Sequence, residues 1–522
     1  ERARPQRPAA MVAAGILLSR IFGLVRSRAL AHFLATSDAA DAFTAAFRIP
    51  NLLQNLFGEG ALSASFIPVY AGLLAHDDRE EAGRVAGAIG AILALAMSVL
   101  VLAGVVATPV LIDAIAPGFE GAKRELAIRL VRILFPGAGL LVLSAWCLGV
   151  LNSHRKFFLS YAAPVIWNAA IIGALFVAGP RMGQYPLAVV TAWASVAGSA
   201  LQVAIQLPTV LAVARRIRPS LDIASANVRT VIRNFIPTFV SRGVVQISAY
   251  VDALLASLLP TGAVAALAYS QTLYNLPSSL FGMSVSAAEL PAMASATGDA
   301  SQVAAQLRTR LDTGLRQIAF YVVPSAVAFA ALGQVLAAAL YQSGQFTRAD
   351  TFYVWGILAG SAVGLLASTM GRLYSSGFYA LRDTRTPLRF AVIRVVLTTV
   401  LGYLAAIPLP GLIGVPSRWG VAGLTASAGM AGWVEFFLLR RALNERIGPT
   451  GLDRRLASQL WGAALVAAGL AGGAAWALDQ PLRRHPVLFA LAVLGVYGPV
   501  YFYLTSALGV PEASALRRRF RS

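Results

Sequence analysis

The stretch Ile49–Pro68, IPNLLQNLFGEGALSASFIP, returns in altered form at Leu273–Pro291, LYNLPSSLFGMSVSAAELP. Asn51 aligns with Asn275, and Phe57-Gly58 with Phe281-Gly282, at a single offset of 224 residues. Upstream, Ser19-Arg20 is matched by Ser241-Arg242. Downstream, GVLNSHRKFFLSYAAP (Gly149–Pro164) is echoed by GFYALRDTRTP (Gly377–Pro387) with a shorter loop. The matches fall on polar residues and proline, which chance similarity between Ala/Leu-rich segments does not favour. The repeat predicts two lobes, residues 1–218 and 227–445, each of six helices. Residues 446–522 follow as two extra helices and a basic tail. Six is an even number, so both halves have the same topology, a known plan of transporters built from parallel repeats.

The composition sets the class. Of 522 residues, 57% are hydrophobic and 13% charged, and mean hydropathy is +0.69. A soluble domain carries about 25% charged residues. Apolar runs of roughly 20 residues, enough to span a bilayer, recur from end to end. The expected fold is an all-α polytopic membrane protein with about fourteen transmembrane helices. Their approximate ranges are 9–34, 42–75, 85–115, 126–151, 160–179, 185–214, 230–259, 263–295, 312–341, 351–380, 387–408, 420–443, 457–478 and 486–508. The N-terminal apolar run is read as a retained first span, because Arg20 interrupts it and no small-residue cleavage site follows.

The net charge is +20, and only Lys123 and Lys156 among 43 cations are lysine. The cations are scattered between apolar spans and form no basic face, which argues against nucleic acid as a partner. Alternate loops differ sharply. One set, including both termini, holds 27 basic residues and the other nine. By the positive-inside rule both termini are expected in the cytoplasm. Cys147 stands alone, and His32, His76, His154 and His485 are far apart, so neither a disulfide nor a metal site is indicated. No nucleotide-binding loop and no catalytic constellation occurs, so neither an enzyme nor a cofactor is expected.

Seven cations fall within the spans: Arg20, Arg26, Arg28, Arg48, Arg242, Arg372 and Arg394. A charge at the bilayer centre costs about 2.5–3.5 kcal/mol on insertion scales, so such residues usually face a cavity. Asp41, Arg48, Asn55 and Glu59, spaced 7, 7 and 4, share one helix face. Pro50 is expected to bend or loosen the helix there. Arg20 and Arg28 lie about 80° apart on an ideal helix, whereas Arg26 is about 160° from Arg28. Either the first helix bends near Gly23 or one arginine snorkels. Ion pairing with Asp41 or Glu59 is the plainer alternative to a ligand site. In the second lobe Gln271 and Asn275 are one turn apart, and hydrogen bonding between helices competes with a substrate role. Arginine binds phosphate through a planar fork and keeps its charge, so an arginine-lined cavity suits an anionic substrate.

The segments SRIFGLVR, DAFTAAFRIPNLLQNLFGEGALSASFIPVY, APGF (Ala116–Phe119), SLFGMSVSAAELP and RDTRTP resemble the MurJ (MviN) family of lipid II flippases, in the MOP exporter superfamily. The resemblance runs over essentially the whole chain. It implies that lipid-linked peptidoglycan precursor crosses from inner to outer leaflet of the bacterial cytoplasmic membrane by alternating access. The pyrophosphate and sugar would occupy a cationic central cavity, and the polyprenyl tail a groove near the last two helices. Membrane lipids and cell-wall synthesis enzymes are the implied partners. Arg20, Arg26, Asp41, Arg48 and Glu59 match charged positions of the family, and Asn51, Asn55, Arg242, Gln271, Asn275 and Arg372 complete the candidate substrate-binding set. Four residues depart from the family pattern: Ser27 stands for an acid, Gln54 and Thr272 for arginine, and Asn275 for an acid. Other readings are a flippase for another polyprenyl-linked glycan, a drug exporter, which the arginine excess disfavours, and a non-transporting cell-wall scaffold.

Overall fold

A computed structural model describes residues 6–214, 217–482 and 484–514. No strand occurs among the described residues. A backbone in hydrocarbon must satisfy its own polar groups, and helices do so locally. The helices are α1 (Gln6–Leu34), α2 (Asp38–Phe57), α3 (Glu59–Ala75), α4 (Arg79–Ile115), α5 (Gly121–Ser153), α6 (Phe157–Ala178), α7 (Gln184–Val213), α8 (Ala226–Ser257) and α9 (Ala263–Pro277). After a π-helical turn, Ser278–Met283, come α10 (Ser284–Ala294), α11 (Ala300–Tyr341), α12 (Arg348–Ala380), α13 (Arg385–Ala406), the short α14 (Pro408–Leu412), α15 (Gly420–Ile447), α16 (Arg454–Leu482) and α17 (Pro486–Ala507). Every expected helical segment is present. Eleven helices among the described residues are long and apolar enough to cross a membrane, fewer than the fourteen crossings expected. The stretches outside that set are α1, α8 and α9 to α10, where the sequence places arginines or amides.

By packing, the chain divides into two units, Glu1–Ala265 and Ala266–Ser522. In the first, α5 is the central helix, against α2, α4 and α7, while α1 lies on α6 and α3 on α8. One core cluster joins Phe66 and Tyr70 of α3, Val85 and Ile89 of α4, and Trp146, Cys147 and Val150 of α5. In the second unit, α12 packs between α11 and α15, α13 covers α15, and α16 and α17 lie against α11.

Pro50, expected to bend or loosen the helix of the opening motif, lies within a continuous helix. α2 continues through Pro50, and the interruption falls at Gly58. A proline removes one hydrogen bond, which a well-packed helix tolerates. Gly58 is a stronger punctuation: its N–H donates to the Gln54 carbonyl at 2.8 Å, and a Cβ there would collide with that same oxygen. Glu59 therefore opens a new helix instead of extending the α2 stripe. The repeated Phe281-Gly282 lies inside the π-helical turn, so both copies of the Phe-Gly pair mark a departure from α geometry. The second echo also has a structural form. Arg155 and Arg382 both take φ 59, and each closes its helix with an N–H to the carbonyl three residues back.

Close helix contact in the second unit depends on glycine. A Cβ on Gly429 of α15 would stand 2.6 Å from the Gly364 nitrogen of α12, whereas one on Gly432 would meet nothing within 4 Å. Gly429→Ala should therefore destabilise the purified protein by about 1–3 kcal/mol, as overpacking does. Gly432→Ala, a nearby change on the same helix, should leave the thermal-unfolding midpoint unchanged or raise it, since alanine favours helix by about 1 kcal/mol over glycine. Equal midpoints for the two variants would refute the close-packing assignment.

Candidate functional site

In the first unit, α2 is positioned from its N-terminus. Ser37 caps it by accepting from the Ala40 N–H at 3.2 Å, and Asp38 and Asp41 occupy the first turn, where a helix dipole favours acids. Asp41 is fully buried. One carboxylate oxygen accepts from the Ala265 N–H at 2.8 Å. The other accepts from the Gly262 N–H at 2.8 Å and from Lys123 Nζ at 2.6 Å. Lys123 also reaches Asp38 at 3.0 Å and lies 4.5 Å from the centre of the Phe119 ring. Asp41 thus pairs with a lysine from the start of α5 and ties down the start of α9. Ion pairing with a span arginine was the plainer alternative to a ligand role for Asp41; the structure pairs it with Lys123. The signal was faint: Lys123 is one of only two lysines and lies just beyond APGF.

One turn and a half along α2, Phe47 faces Arg26 of α1. The Arg26 guanidinium carbon lies 5.2 Å from the Phe47 ring centre and 4.9 Å from that of Trp167 on α6. The two rings are stacked at 5.4 Å, and Phe43 extends the stack. Trp167 is held by its indole N–H, which donates to the Ser195 carbonyl and hydroxyl at 3.1 Å each. Desolvated cation–π contacts are worth about 2 kcal/mol each, so two rings offset the roughly 3 kcal/mol cost of a buried arginine. Its Nε is nevertheless buried without an acceptor. The Asn168 side-chain oxygen, adjacent to Trp167 in sequence, is likewise buried without a donor.

Arg48 is half-buried, and the charge of Asp252 on α8 acts on it. The Tyr250 hydroxyl donates to the Arg48 carbonyl at 3.1 Å. Arg20 is exposed, Asn51 is half-buried and Asn55 is exposed. α1 runs without interruption past Gly23. The side chains of Glu59 and Arg242 lie outside the described residues. In the second unit, Gln271 is half-buried, and Asn275 and Arg372 are exposed. There the Tyr274 and Ser368 hydroxyls are hydrogen-bonded at 2.8 Å, Arg372 acts electrostatically on Tyr274, and Arg394 pairs with Glu435 at 3.0 Å. Sequence reasoning missed Phe47, Trp167, Tyr250 and Tyr274. Aromatic residues inside apolar runs look the same whether they fill a core or face a cation.

A family model described as "Lipid II flippase MurJ" matches residues 30–494. The chain belongs to this family. A relative named lipid II flippase MurJ, from Burkholderia cenocepacia, is 32% identical over 96% of this chain and 97% of its own. A probable lipid II flippase MurJ from Haemophilus influenzae is 31% identical over 82% of this chain and 84% of its own. Among solved structures, a lipid II flippase MurJ in an inward closed conformation superposes with a TM-score of 0.77 at 22% identity, covering 96% of this chain and 98% of that one. An inward-facing multidrug resistance MATE family transporter of the MOP superfamily gives 0.66 at 17% identity, over 84% and 98%. These structures share the fold. Family membership also makes the chain a transporter by class, not an enzyme.

The Asp41 arrangement has a measurable consequence. Asp41→Ala leaves Lys123, with a side chain only 13% exposed, facing Asp38 alone. Breaking a buried pair from one side costs about 3–5 kcal/mol. Asp41→Ala should lower the thermal midpoint strongly, and adding Lys123→Met should recover part of the loss. If the single variant were as stable as the parent, Asp41 would not be a structural anchor.

Proposed function

We propose that the chain carries lipid II from the inner to the outer leaflet of the bacterial cytoplasmic membrane by alternating access. Both termini lie on the cytoplasmic side. The reading rests on membership of the family and on relatives bearing that name over nearly the whole chain. The observation that carries the site is Arg26: a guanidinium beside the stacked Phe47 and Trp167 rings, with a buried Nε that has no acceptor. Such a donor within a span is matched by a pyrophosphate oxygen. Arg48 and Arg20 supply further charge in an arginine-rich cavity of the first unit, and Asn51 and Asn55 contribute neutral donors and acceptors. Asp41 acts by fixing the start of α9, without touching substrate. Gln271, Asn275 and Arg372 offer the corresponding contacts in the second unit.

A flippase for a different polyprenyl-linked glycan is favoured by one feature: Thr272 and Asn275 are neutral where the resemblance to the family leads to a charge in each place. Flipping of defined polyprenyl-pyrophosphate lipids by the protein in liposomes separates the readings. Lipid II should be moved, and Arg26→Ala and Arg48→Ala should each slow it at least tenfold while still reaching the membrane. Transport of another glycan lipid in preference to lipid II would replace the first reading with the second. No flipping of any such lipid by the parent protein, with Arg48→Ala retaining function in cells, would leave only the scaffold reading.

A further inference from the structure

The ends and connecting loops of α3, α4, α5, α6 and α7 in the first unit form a cavity whose lining does not include Arg26 or Arg48. It holds about 620 Å³, within the range of roughly 300–1,000 Å³ typical of ligand pockets. Its walls come from the end of α3, the start of α4, the α5–α6 turn and the end of α7. Two arginines line it, Arg79 and Arg155, with His154, Tyr70 and Ser153. The Tyr70 hydroxyl and His154 Nε2 are hydrogen-bonded at 2.9 Å, which fixes the imidazole on one side of the cavity. Burial and the Arg79 charge lower the His154 pKa, so near neutral pH the positive charge comes from the arginines. Arg79 pairs with Asp77 at 2.8 Å, but both side chains are largely exposed, and such solvent-screened pairs contribute little. Arg79 is thus available to a stronger anion.

Part of the lining is apolar: Leu74, Ala82, Ala212 and Val213 face the cavity. Leu211 and Phe158, close in sequence to its walls, are 51% and 52% exposed. A purely aqueous anion has no use for an apolar wall, whereas an amphiphile has. We propose that this cavity binds the phosphate of an anionic phospholipid headgroup, with Arg79 and Arg155 as the charged contacts and the acyl chains leaving past Leu211 and Phe158. Bidentate guanidinium contacts suit a phosphodiester. The site does not depend on which substrate the protein transports.

Binding of short-chain phosphatidylglycerol, short-chain phosphatidylcholine and inorganic phosphate to the full-length protein in neutral detergent tests this. Phosphatidylglycerol should bind at least fivefold tighter than phosphatidylcholine. The pair Arg79→Ala and Arg155→Gly should abolish that preference. Glycine is chosen at 155 because the residue adopts φ 59, which glycine takes without strain. Arg441→Ala, removing an exposed arginine of α15, should leave the preference intact. If the double variant does not fold, Arg155→Gly alone carries the test and should reduce the preference at least threefold. Equal binding of the two lipids by the parent protein, or a preference that survives the arginine changes, overturns the proposal. Tight binding of inorganic phosphate without lipid preference assigns the cavity to a free anion and overturns the lipid assignment.

Discussion

Charge inside hydrocarbon must be compensated, and most of the specific architecture of the first unit follows from that constraint. Three devices are visible. Asp41 is neutralised by Lys123 and by two backbone N–H groups at the start of α9. Arg26 is covered by aromatic faces. Arg48 sits within reach of the Asp252 charge. The first device closes its account, since both carboxylate oxygens are engaged. The second does not, because the Arg26 Nε remains without an acceptor. That difference sets the half-buried Arg26 apart from the fully engaged Asp41 and is the ground for the binding role proposed for it.

The same reasoning explains why the arginine is caged by rings and not by a carboxylate. A carboxylate would quench the guanidinium and compete with any incoming anion. An aromatic face stabilises the cation while leaving its edge free for hydrogen bonds. Trp167 is in turn fixed by Ser195, so the ring pair beside Arg26 is held in place. In the second unit the described intramembrane cation Arg394 is instead paired with Glu435.

Much of this was legible in the sequence because it is local. Apolar runs gave every helical segment; the repeated Phe-Gly pairs were read only as a repeat, and their departures from α geometry came from the structure. Pro50 did not indicate where α2 ends, which is at Gly58, where glycine lets the chain approach its own Gln54 carbonyl. The spacing of Arg48 and Asn55 put both on α2, but the site's character depends on residues far away in sequence. Trp167 and Phe47 are separated by 120 positions, and Lys123 and Asp41 by 82. Periodicity does not report such pairings, and an aromatic residue in an apolar helix has the same appearance in a core and over a cation.

The central proposal is that the Arg26 guanidinium, whose Nε has no acceptor in the protein, receives a phosphate oxygen. The direct measurement is the affinity of the purified protein for a polyprenyl-pyrophosphate lipid, compared between the parent and Arg26→Lys. Lysine keeps the charge and can still sit over the rings, but it has no planar fork and no Nε donor. The account predicts at least a tenfold weaker affinity for Arg26→Lys with an unchanged thermal midpoint. Equal affinity would show that Arg26 contributes only charge, or nothing, and would contradict it.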